Sequence, residues 1–295
     1  MDDLSFKLNN LIDYENVFPL KELIQIKIGV CTGGNNKHIA ESSIFNNSKK
    51  VLQGRNIGRY TLDFNNKYLN YDRDQLLRAR DEGIFLKKEK LLMRQTSDKL
   101  ILTYDNSQYY VIDSLFVLYS KNNDLNLKYS LSLLNSKLLN RQYQKLNPET
   151  GRVFAQVKID YVNEIPLFKL DEIEQNPFIE KADKMISLKE DLVKEINGFK
   201  NWLQREPYNI DKFSKKLDKY YELSFEDFLI ELKKKRVDTK LRKTQELLKN
   251  EFEESIKVIN PLLQQIKETD SEIDKMVYDL YGLTNEEIKI IEINI

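Results

Sequence analysis

The sequence predicts an α+β protein: a mixed α/β, sheet-containing domain followed by a long helical hairpin or bundle. Three observations indicate this. Seven of the nine glycines precede residue 168, as expected of a sheet domain rich in turns. Runs of β-branched and aromatic residues suited to strands occur in that part, whereas beyond it apolar residues recur at helical spacings over long stretches. We therefore predict two domains, residues 1–167 and residues 168–295.

Length and composition limit the class of protein. A chain of 295 residues that is 41% hydrophobic is long enough to bury a substantial core. It has no run of eighteen apolar residues, so no membrane span is predicted. Cys31 is the single cysteine, which excludes an intramolecular disulfide and favours a reducing, cytoplasmic location.

Charge is unevenly distributed although the net charge is zero. Residues 1–167 hold 24 Lys or Arg and 19 Asp or Glu, and residues 168–295 hold 23 and 28. Between Lys128 and Lys158 there are six basic residues and one acidic residue, with Tyr143 and Phe154 interleaved. This pattern is typical of a surface that faces phosphates.

The predicted sheet domain contains two strand candidates and a helix. Tyr109–Tyr119 is rich in β-branched and aromatic residues, and Val153–Val162 partly alternates between apolar and polar residues. The segment between them, Tyr129–Leu139, has the spacing of a helix.

A glycine-rich stretch lies between Gly29 and His38. A phosphate-binding P-loop would need Lys and then Ser or Thr after Gly34, where Asn35 and Asn36 stand instead. A turn between two strands is the default interpretation. Cys31 and His38 leave an enzyme as an open alternative, but no third residue of a recognisable catalytic motif stands beside them, and a transition-metal site is disfavoured by the shortage of Cys and His.

Two arginines four residues apart stand among glycines in the segment from Leu52 to Tyr60. Arg55 and Arg59 are suited to bidentate contacts with phosphate or guanine. The alternative is a solvated loop whose arginines pair with acidic residues, for which the candidates are Asp72, Asp74 and Asp81. Arg94 and Gln95 follow a predicted strand, and Arg94 is either close to the same surface or a structural arginine satisfied by a carboxylate.

Two long amphipathic helices are predicted in the second part. Apolar residues from Ile179 to Leu203 and from Leu241 to Leu280 recur at spacings of three, four or seven, with Pro261 as a kink. We expect them to pack as an antiparallel hairpin. Gly282 is the predicted C-terminal stop, and the residues from Thr284 to Glu287 resemble a capping box that opens a last helix.

Several phrases together resemble a known family, the TaqI-like C-terminal specificity domain. They are LMRQTS at residues 92–97, LLNSK at 133–137 and RQYQKLNPETGRVFAQVKIDYVNEIPL at 141–167, preceded by IGVCTGGNNKHI and LQGRNIGRY. The final stretch TDSEIDKMVYDLYGLTNEEIKIIE is similar to the usual ending of such chains. The helical part also resembles, in organisation, the specificity subunits of type I systems.

The resemblance implies a role in DNA recognition. In that family the domain is the target-recognition part of adenine-specific methyltransferases and of type IIG restriction-modification enzymes. It implies that double-stranded DNA is bound and that the helices dock a DNA methyltransferase subunit or domain, or a second copy of this chain. The residues then expected at the DNA are Thr32, Asn35, Asn36, Lys37, Arg55, Arg59, Arg94, Gln95, Lys137, Arg141, Lys145, Arg152 and Lys158.

Catalytic motifs are missing from the sequence. Each of its three Asn-Pro steps lacks the second proline of the adenine methyltransferase motif, and Pro-Asp, which begins a common nuclease motif, does not occur. We therefore expect no catalysis, metal or cofactor in this chain, while a partner methyltransferase would use S-adenosylmethionine. The alternative function is a helical protein–protein adaptor without specific DNA binding.

Overall fold

The described part of the chain begins with short strands and ends with long helices, which confirms the predicted α+β class. This computed structural model describes residues 16–122, 125–152 and 154–293. The strands are β1 (Val17–Pro19), β2 (Ile24–Ile28), β3 (Ile39–Ala40), β4 (Ser48–Leu52), β5 (Ile57–Gly58), β6 (Thr61–Leu62), β7 (Tyr68–Asn70), β8 (Lys90–Arg94), β9 (Leu102–Asp105), β10 (Tyr110–Val111), β11 (Leu115–Ser120) and β12 (Pro166–Phe168). The helices are α1 (Leu20–Leu23), α2 (Asn35–His38), α3 (Leu127–Asn135), α4 (Lys137–Leu146), α5 (Ile159–Asn163), α6 (Glu172–Gln204), α7 (Phe225–Lys234), α8 (Arg242–Leu280) and α9 (Asn285–Ile293).

Packing divides the chain into two compact units. The first is Met1–Ile186 together with Thr269–Ile295, and the second is Ser187–Glu268. The first unit thus holds all the described strands, residues 172–186 of α6, residues 269–280 of α8, and α9. The division into two domains, residues 1–167 and 168–295, stays a prediction.

Two four-stranded sheets form most of the β-structure of the first unit. One has the order β2-β11-β8-β9, and all its neighbouring strands are antiparallel. The other has the order β10-β4-β7-β3, in which β10 and β4 are parallel and the remaining pairs are antiparallel. Strands β8 and β11 are central in the first sheet, and Leu91, Leu92 and Met93 of β8 are all buried. Because both faces of β8 are covered, it shows no alternation of apolar and polar residues.

The predicted strand Tyr109–Tyr119 is wrong as a single element. It is two strands, β10 and β11, that pair in different sheets. They are separated by a tight turn in which the Leu115 amide donates to the Ile112 carbonyl at 2.9 Å. The polar residues Asp113 and Ser114 occupy this turn. Aspartate and serine favour turns, so they interrupt the strand that the surrounding apolar residues predict.

The predicted helix Tyr129–Leu139 is two helices. Ser136 separates α3 from α4, with extended backbone angles (φ −65°, ψ 156°). Its hydroxyl accepts a hydrogen bond from the Leu139 amide at 3.3 Å, so Ser136 caps the second helix. The apolar spacing of residues 129–139 predicts one continuous helix, but the capping serine divides it into two.

The predicted strand Val153–Val162 is also wrong within the described residues, which exclude Val153. Phe154 has a left-handed backbone (φ 65°), and α5 begins at Ile159. Within residues 154–162, only an isolated bridge, from Gln156 to Thr96, joins this segment to another strand-like segment. The Lys158 amide instead donates to the Tyr143 hydroxyl at 3.1 Å, so a side chain takes a bond that a strand would give to a ladder.

Helices α6 and α8 are antiparallel, as predicted. Within the first unit, Lys181 Nζ lies 2.7 Å from Glu272 Oε2. Within the second unit, the Ser255 hydroxyl donates to Glu195 Oε1 at 2.6 Å. A later residue of α6 therefore contacts an earlier residue of α8, as expected of antiparallel helices. None of the described helices is both long enough and apolar enough to cross a bilayer.

The second unit has a core of aromatic and aliphatic side chains. Phe199 of α6 stacks on Tyr220 with ring centroids 4.2 Å apart, and Phe228 of α7 stacks on Phe252 of α8 at 4.9 Å. Ile259 of α8 is fully buried in the same cluster. Stacked aromatic pairs add to the stability that burial alone provides.

The signals predicted at the end of the chain are confirmed. Gly282, just past α8, has a left-handed backbone (φ 61°). The Thr284 amide donates to Glu287 Oε2 at 2.7 Å, and the Glu287 amide donates to the Thr284 hydroxyl at 3.3 Å. These reciprocal bonds are a capping box at the start of α9.

Candidate nucleic-acid interface

Five chain segments of the first unit meet at the ends of strands. They are residues 30–32, 54–56, 94–96, 112–114 and 156–158, together termed the loop edge. Each follows a strand, lies in a turn between strands or, for residues 156–158, bridges the end of β8. They are far apart in sequence, so only the tertiary structure brings them together.

The turn at Asp113 and Ser114 joins three of the other segments. The Asp113 amide donates to the Val30 carbonyl at 2.9 Å. The Ser114 hydroxyl accepts from the Gly54 amide at 2.9 Å, and its carbonyl accepts from the Gln95 amide at 3.0 Å. The backbones that carry Thr32, Arg55 and Gln95 are thereby fixed relative to one another.

Residues 156–158 are attached to the opposite side of Gln95. The Val157 amide donates to the Gln95 carbonyl at 2.7 Å, and Gln156 bridges Thr96. The side chains of Thr96 and Gln156 are exposed. The loop edge therefore continues as a row of hydrogen-bonded backbones with polar side chains at its surface.

Gly29 allows this close approach. A Cβ at Gly29 would lie 2.3 Å from the Ile112 carbonyl oxygen, a distance that no side chain tolerates. Only glycine therefore lets the strand before residues 30–32 lie against the turn at residues 112–114.

A second loop lies beside the glycine-rich stretch. Cys31 and Arg78 exchange two backbone hydrogen bonds, at 3.1 and 2.9 Å. Gly33 has a left-handed backbone (φ 73°), and a Cβ there would lie 3.0 Å from the Leu77 Cβ. The loop carries the exposed side chains of Arg73, Gln75, Leu77 and Arg78, none of which is among the predicted DNA contacts.

The glycine-rich stretch places its own candidates differently. Thr32 is buried and Lys37 of α2 is exposed, whereas the side chains of Asn35 and Asn36 lie outside the described part of the chain. Cys31 is half-buried, and His38 is buried with no hydrogen-bond partner at Nδ1 among the described residues. Among the residues described, no group of three or more His, Cys, Asp or Glu side chains is arranged to hold a metal ion.

The two arginines of the Leu52–Tyr60 segment have different environments. Arg55 is exposed on the short helix Gly54–Asn56. The Arg59 guanidinium makes a bidentate contact with Asp270 of α8, at 2.6 and 3.0 Å, and donates to the Asn135 carbonyl at 2.8 Å. Burial lowers the pKa of Arg59, but Asp270, together with Tyr60 and Asp274, raises the pKa above its usual value. The partner of Arg59 is thus none of the three aspartates considered from the sequence.

Arg94, at the end of β8, contacts a carbonyl and not a carboxylate. Its Nε donates to the Ile57 carbonyl at 2.7 Å, and Nη2 donates to the same oxygen. Burial lowers the pKa of Arg94. The guanidinium therefore anchors β5, the strand that follows Arg55.

Two predicted DNA contacts on α4 instead hold the last helices of the first unit. The Lys137 ammonium lies 2.6 Å from Glu292 of α9, and its amide donates to Asp274 of α8 at 2.8 Å. Arg141 donates to the Ile290 carbonyl at 3.0 Å. Burial raises the pKa of Asp274 to about 6, against the opposing effect of the Lys137 amide.

The remaining basic candidates lie in or after α4. Lys145 and Arg152 are exposed. Lys158 forms an ion pair with Glu149 at 2.9 Å, and the hydrogen bond from Lys158 holds the pKa of Glu149 below its usual range. Phe154, between them, exposes 83% of its surface, whereas Tyr143, the other aromatic residue of this region, is fully buried.

Sequence reasoning missed the residues that organise the loop edge. The polar pair Asp113–Ser114 inside an apolar run was a signal that could have identified the turn to which three of the other segments are bonded. Gln156 and residues 73–78 carried no comparable signal, because their position depends on contacts with distant segments.

Comparisons with known proteins identify two matching stretches. The sequence profile of the TaqI-like C-terminal specificity domain matches residues 49–167, so the resemblance stated from the sequence is confirmed. A second profile, described as a domain of unknown function (DUF8810), matches residues 171–277. No curated protein matches the chain.

The comparison with solved structures gives two matches to report. The HsdS subunit from Thermoanaerobacter tengcongensis matches with a TM-score of 0.38 and 12% identity, over 74% of this chain and 47% of that chain. The type IIL restriction-modification enzyme MmeI, solved in complex with DNA, matches with a TM-score of 0.40 and 11% identity, over 93% of this chain and 35% of that chain. The chain thus spans less than half the length of either protein.

Proposed function

We propose that this chain is the DNA target-recognition part of a restriction-modification system and reads a short sequence in double-stranded DNA. The match of residues 49–167 to a specificity domain carries this proposal. That stretch contains every segment of the loop edge except residues 30–32. The surface assembled by backbone hydrogen bonds is therefore mostly built from the matching residues.

The loop edge carries side chains of the types that read bases. Arginine can make two hydrogen bonds to guanine, and glutamine two to adenine, in the major groove. Arg55 is exposed and Gln95 half-exposed, on backbones held by Ser114. A side chain on a fixed backbone reaches few bases, so this rigidity favours sequence preference. We assign base contacts to Arg55 and Gln95.

Other candidates are assigned to the phosphates. Lys158 and Thr32 belong to the loop edge, Lys145 and Arg152 are exposed in and after α4, and α2 carries Asn35, Asn36 and the exposed Lys37. Phosphate contacts set the position of a protein on DNA without reading its sequence. Lys158 would exchange Glu149 for a phosphate when DNA binds.

Four residues predicted to contact DNA instead support the recognition surface in this proposal. Arg59, Arg94, Lys137 and Arg141 donate to groups of the first unit itself. Releasing a bidentate contact such as that of Arg59 with Asp270 would oppose DNA binding, since charge-assisted bonds of this kind are strong. We therefore propose that these residues hold the recognition surface in place.

The chain would act without catalysing a reaction. A DNA methyltransferase, as a separate subunit or a domain of the same enzyme, would supply S-adenosylmethionine and the chemistry, including the extrusion of the target adenine. The helices would dock that partner or a second copy of this chain, whose two-fold axis would favour a symmetric, split site. A separate specificity subunit and the specificity region of a type IIG enzyme both fit this role.

The proposal is tested by selection from a pool of duplexes with a randomised centre, at low salt. We expect enrichment of one short sequence, and a binding constant whose logarithm falls linearly with the logarithm of salt concentration. Replacing Lys145 or Lys158 by Gln should reduce the salt slope by about one and weaken all sequences alike. Replacing Arg55 by Ala should relax one base position.

The alternative, a helical adaptor, is favoured by exposed apolar side chains of the second unit. Leu241, Leu247 and Val258 expose 64%, 46% and 48% of their surfaces. An adaptor would enrich no sequence and would bind no duplex at moderate salt. Absence of any enriched sequence together with absence of binding would therefore support the adaptor and refute DNA recognition.

A further inference from the structure

Phe154 combines two features that are uncommon for an aromatic residue. It exposes 83% of its surface, the highest fraction among the exposed large hydrophobic residues of the described chain. Its backbone is left-handed (φ 65°), a conformation that only a few per cent of residues other than glycine adopt. Scattered exposed apolar residues are ordinary, but strain together with exposure is typical of functional positions.

The loop that carries Phe154 is held at both ends. The Asn147 side chain donates to the Tyr143 hydroxyl at 2.8 Å and to the Gln156 carbonyl at 3.3 Å. The Gln156 amide donates to Glu149 Oε2 at 2.9 Å. A loop fixed in this way presents the ring of Phe154 to solvent without needing to reorganise.

The neighbours of Phe154 are suited to a nucleic acid. Arg152 and Gln156, two residues before and after it, have exposed side chains. Gln156 bridges Thr96, and Val157 bonds Gln95, so the ring stands beside the loop edge. An aromatic ring flanked by a guanidinium and an amide can contact bases while its neighbours contact the backbone or base edges.

We propose that Phe154 is a wedge that inserts between two adjacent base pairs of the bound duplex and unstacks that step. This inference rests on the proposed function and adds a means of deforming the DNA. The cost of unstacking would make flexible pyrimidine–purine steps preferred at that position. The wedge therefore contributes to specificity without a hydrogen bond to any base.

The experiment uses the full chain and the duplex enriched by the wild-type protein, with 2-aminopurine placed at each position in turn. Its fluorescence rises when a base loses stacking. We expect a rise at one step with the wild-type protein and none with Phe154→Ala, whose affinity should fall about tenfold. Phe154→Leu, which keeps an apolar wedge, should retain part of both effects.

Ile173→Ala is the matched control. Ile173 lies on α6 and exposes 80% of its surface. Its neighbour Glu172 lines a cavity of about 640 Å³, which is also lined by Lys88 and Glu89, just before β8 begins. The loop edge lies at the other end of that strand. This variant should leave both affinity and fluorescence unchanged.

Phe154→Gly separates folding from binding. Glycine adopts a left-handed backbone without strain, so this variant should unfold at a higher temperature than Phe154→Ala and still lack the fluorescence change. If the wild-type protein enriches a sequence but no position brightens, or Phe154→Ala binds within twofold of wild type, the wedge is refuted while DNA recognition stands. If no sequence is enriched, DNA recognition itself fails.

Discussion

At the scale of single residues, identical side chains four positions apart have different environments. Arg55 and Arg59 are equivalent in spacing and in their glycine neighbours, yet Arg59 is bound by Asp270, 211 positions away in sequence. The difference is decided by which guanidinium faces α8. Arg55 remains available to a ligand, whereas Arg59 connects the sheets to the end of the chain.

We predict that Arg59→Met lowers the free energy of unfolding by about 2 kcal/mol, because it removes charge-assisted hydrogen bonds and leaves Asp270 without its partner. Arg55→Met should change it by less than about 0.5 kcal/mol. Urea unfolding measures both. A double-mutant cycle with Asp270→Asn should show strong coupling for Arg59 and none for Arg55. Equal destabilisation by the two arginine variants would contradict the assignment.

Asp274 gives a prediction about pH. Its pKa is raised from 3.8 to about 6 by burial, in an environment that includes Asp270, Lys137 and Arg59. The folded state therefore binds more protons than the unfolded state between about pH 4 and pH 6. The contribution of this group to stability is fully present below about pH 4 and is lost as the pH rises to 6.

The expected result is measured against Asp274→Asn, which keeps an acceptor for the Lys137 amide and does not titrate. The difference in unfolding free energy, wild type minus variant, should fall by on the order of 3 kcal/mol between pH 4 and pH 7. Urea unfolding at several pH values checks this. A difference that does not depend on pH would show that Asp274 is not buried in the folded protein.

At the scale of elements, the loop edge depends on how closely β2 approaches the turn before β11. Gly29→Ala would place a methyl group against the Ile112 carbonyl, and we expect a loss of roughly 1–3 kcal/mol in unfolding free energy. Because that turn also positions Arg55 and Gln95, DNA affinity should fall even where the variant remains folded.

Gly34→Ala is the control for this prediction, since a Cβ at Gly34 meets no atom of the described residues within 4 Å. Its stability should be unchanged or higher, because alanine reduces the freedom of the unfolded chain. Thermal unfolding and duplex binding of the two variants are measured side by side. Equal stability of the two would mean that the turn can move away from Gly29.

At the scale of the whole molecule, the second unit has a core of its own. Ile259 is fully buried in it, and its neighbour Val258 exposes 48% of its surface. Ile259→Asp should cost more than about 4 kcal/mol, because it buries an unpaired charge, whereas Val258→Asp should cost less than about 1 kcal/mol.

Hydrogen exchange locates the damage. We expect Ile259→Asp to remove protection from residues 187–268 while residues 16–122 stay protected and the protein still binds duplex DNA. Loss of protection throughout the chain would show that the two units fold only together. A partner that docks on the helices should be lost in the same variant.

The sequence by itself determined the features that depend on near neighbours. The helical spacing of apolar residues predicted α6 and α8 and their antiparallel packing, and Thr284 and Gly282 marked the beginning of α9 and the end of α8. Such signals are readable because the interacting residues lie three or four positions apart. The phrases at residues 28–39, between Leu52 and Leu167, and at residues 269–292 likewise carried the resemblance to the specificity domain.

Only the tertiary structure decided which side chains face the surface. It divided Tyr109–Tyr119 between two sheets, paired Arg59 and Arg94 with acceptors of the protein itself, and left Phe154 exposed whereas Tyr143 is buried. Each outcome depends on partners that are distant in sequence, such as Asp270 for Arg59 and Ser114 for Gly54. Residue type and spacing do not encode such pairings, because a guanidinium or an amide binds any acceptor that the fold brings within reach.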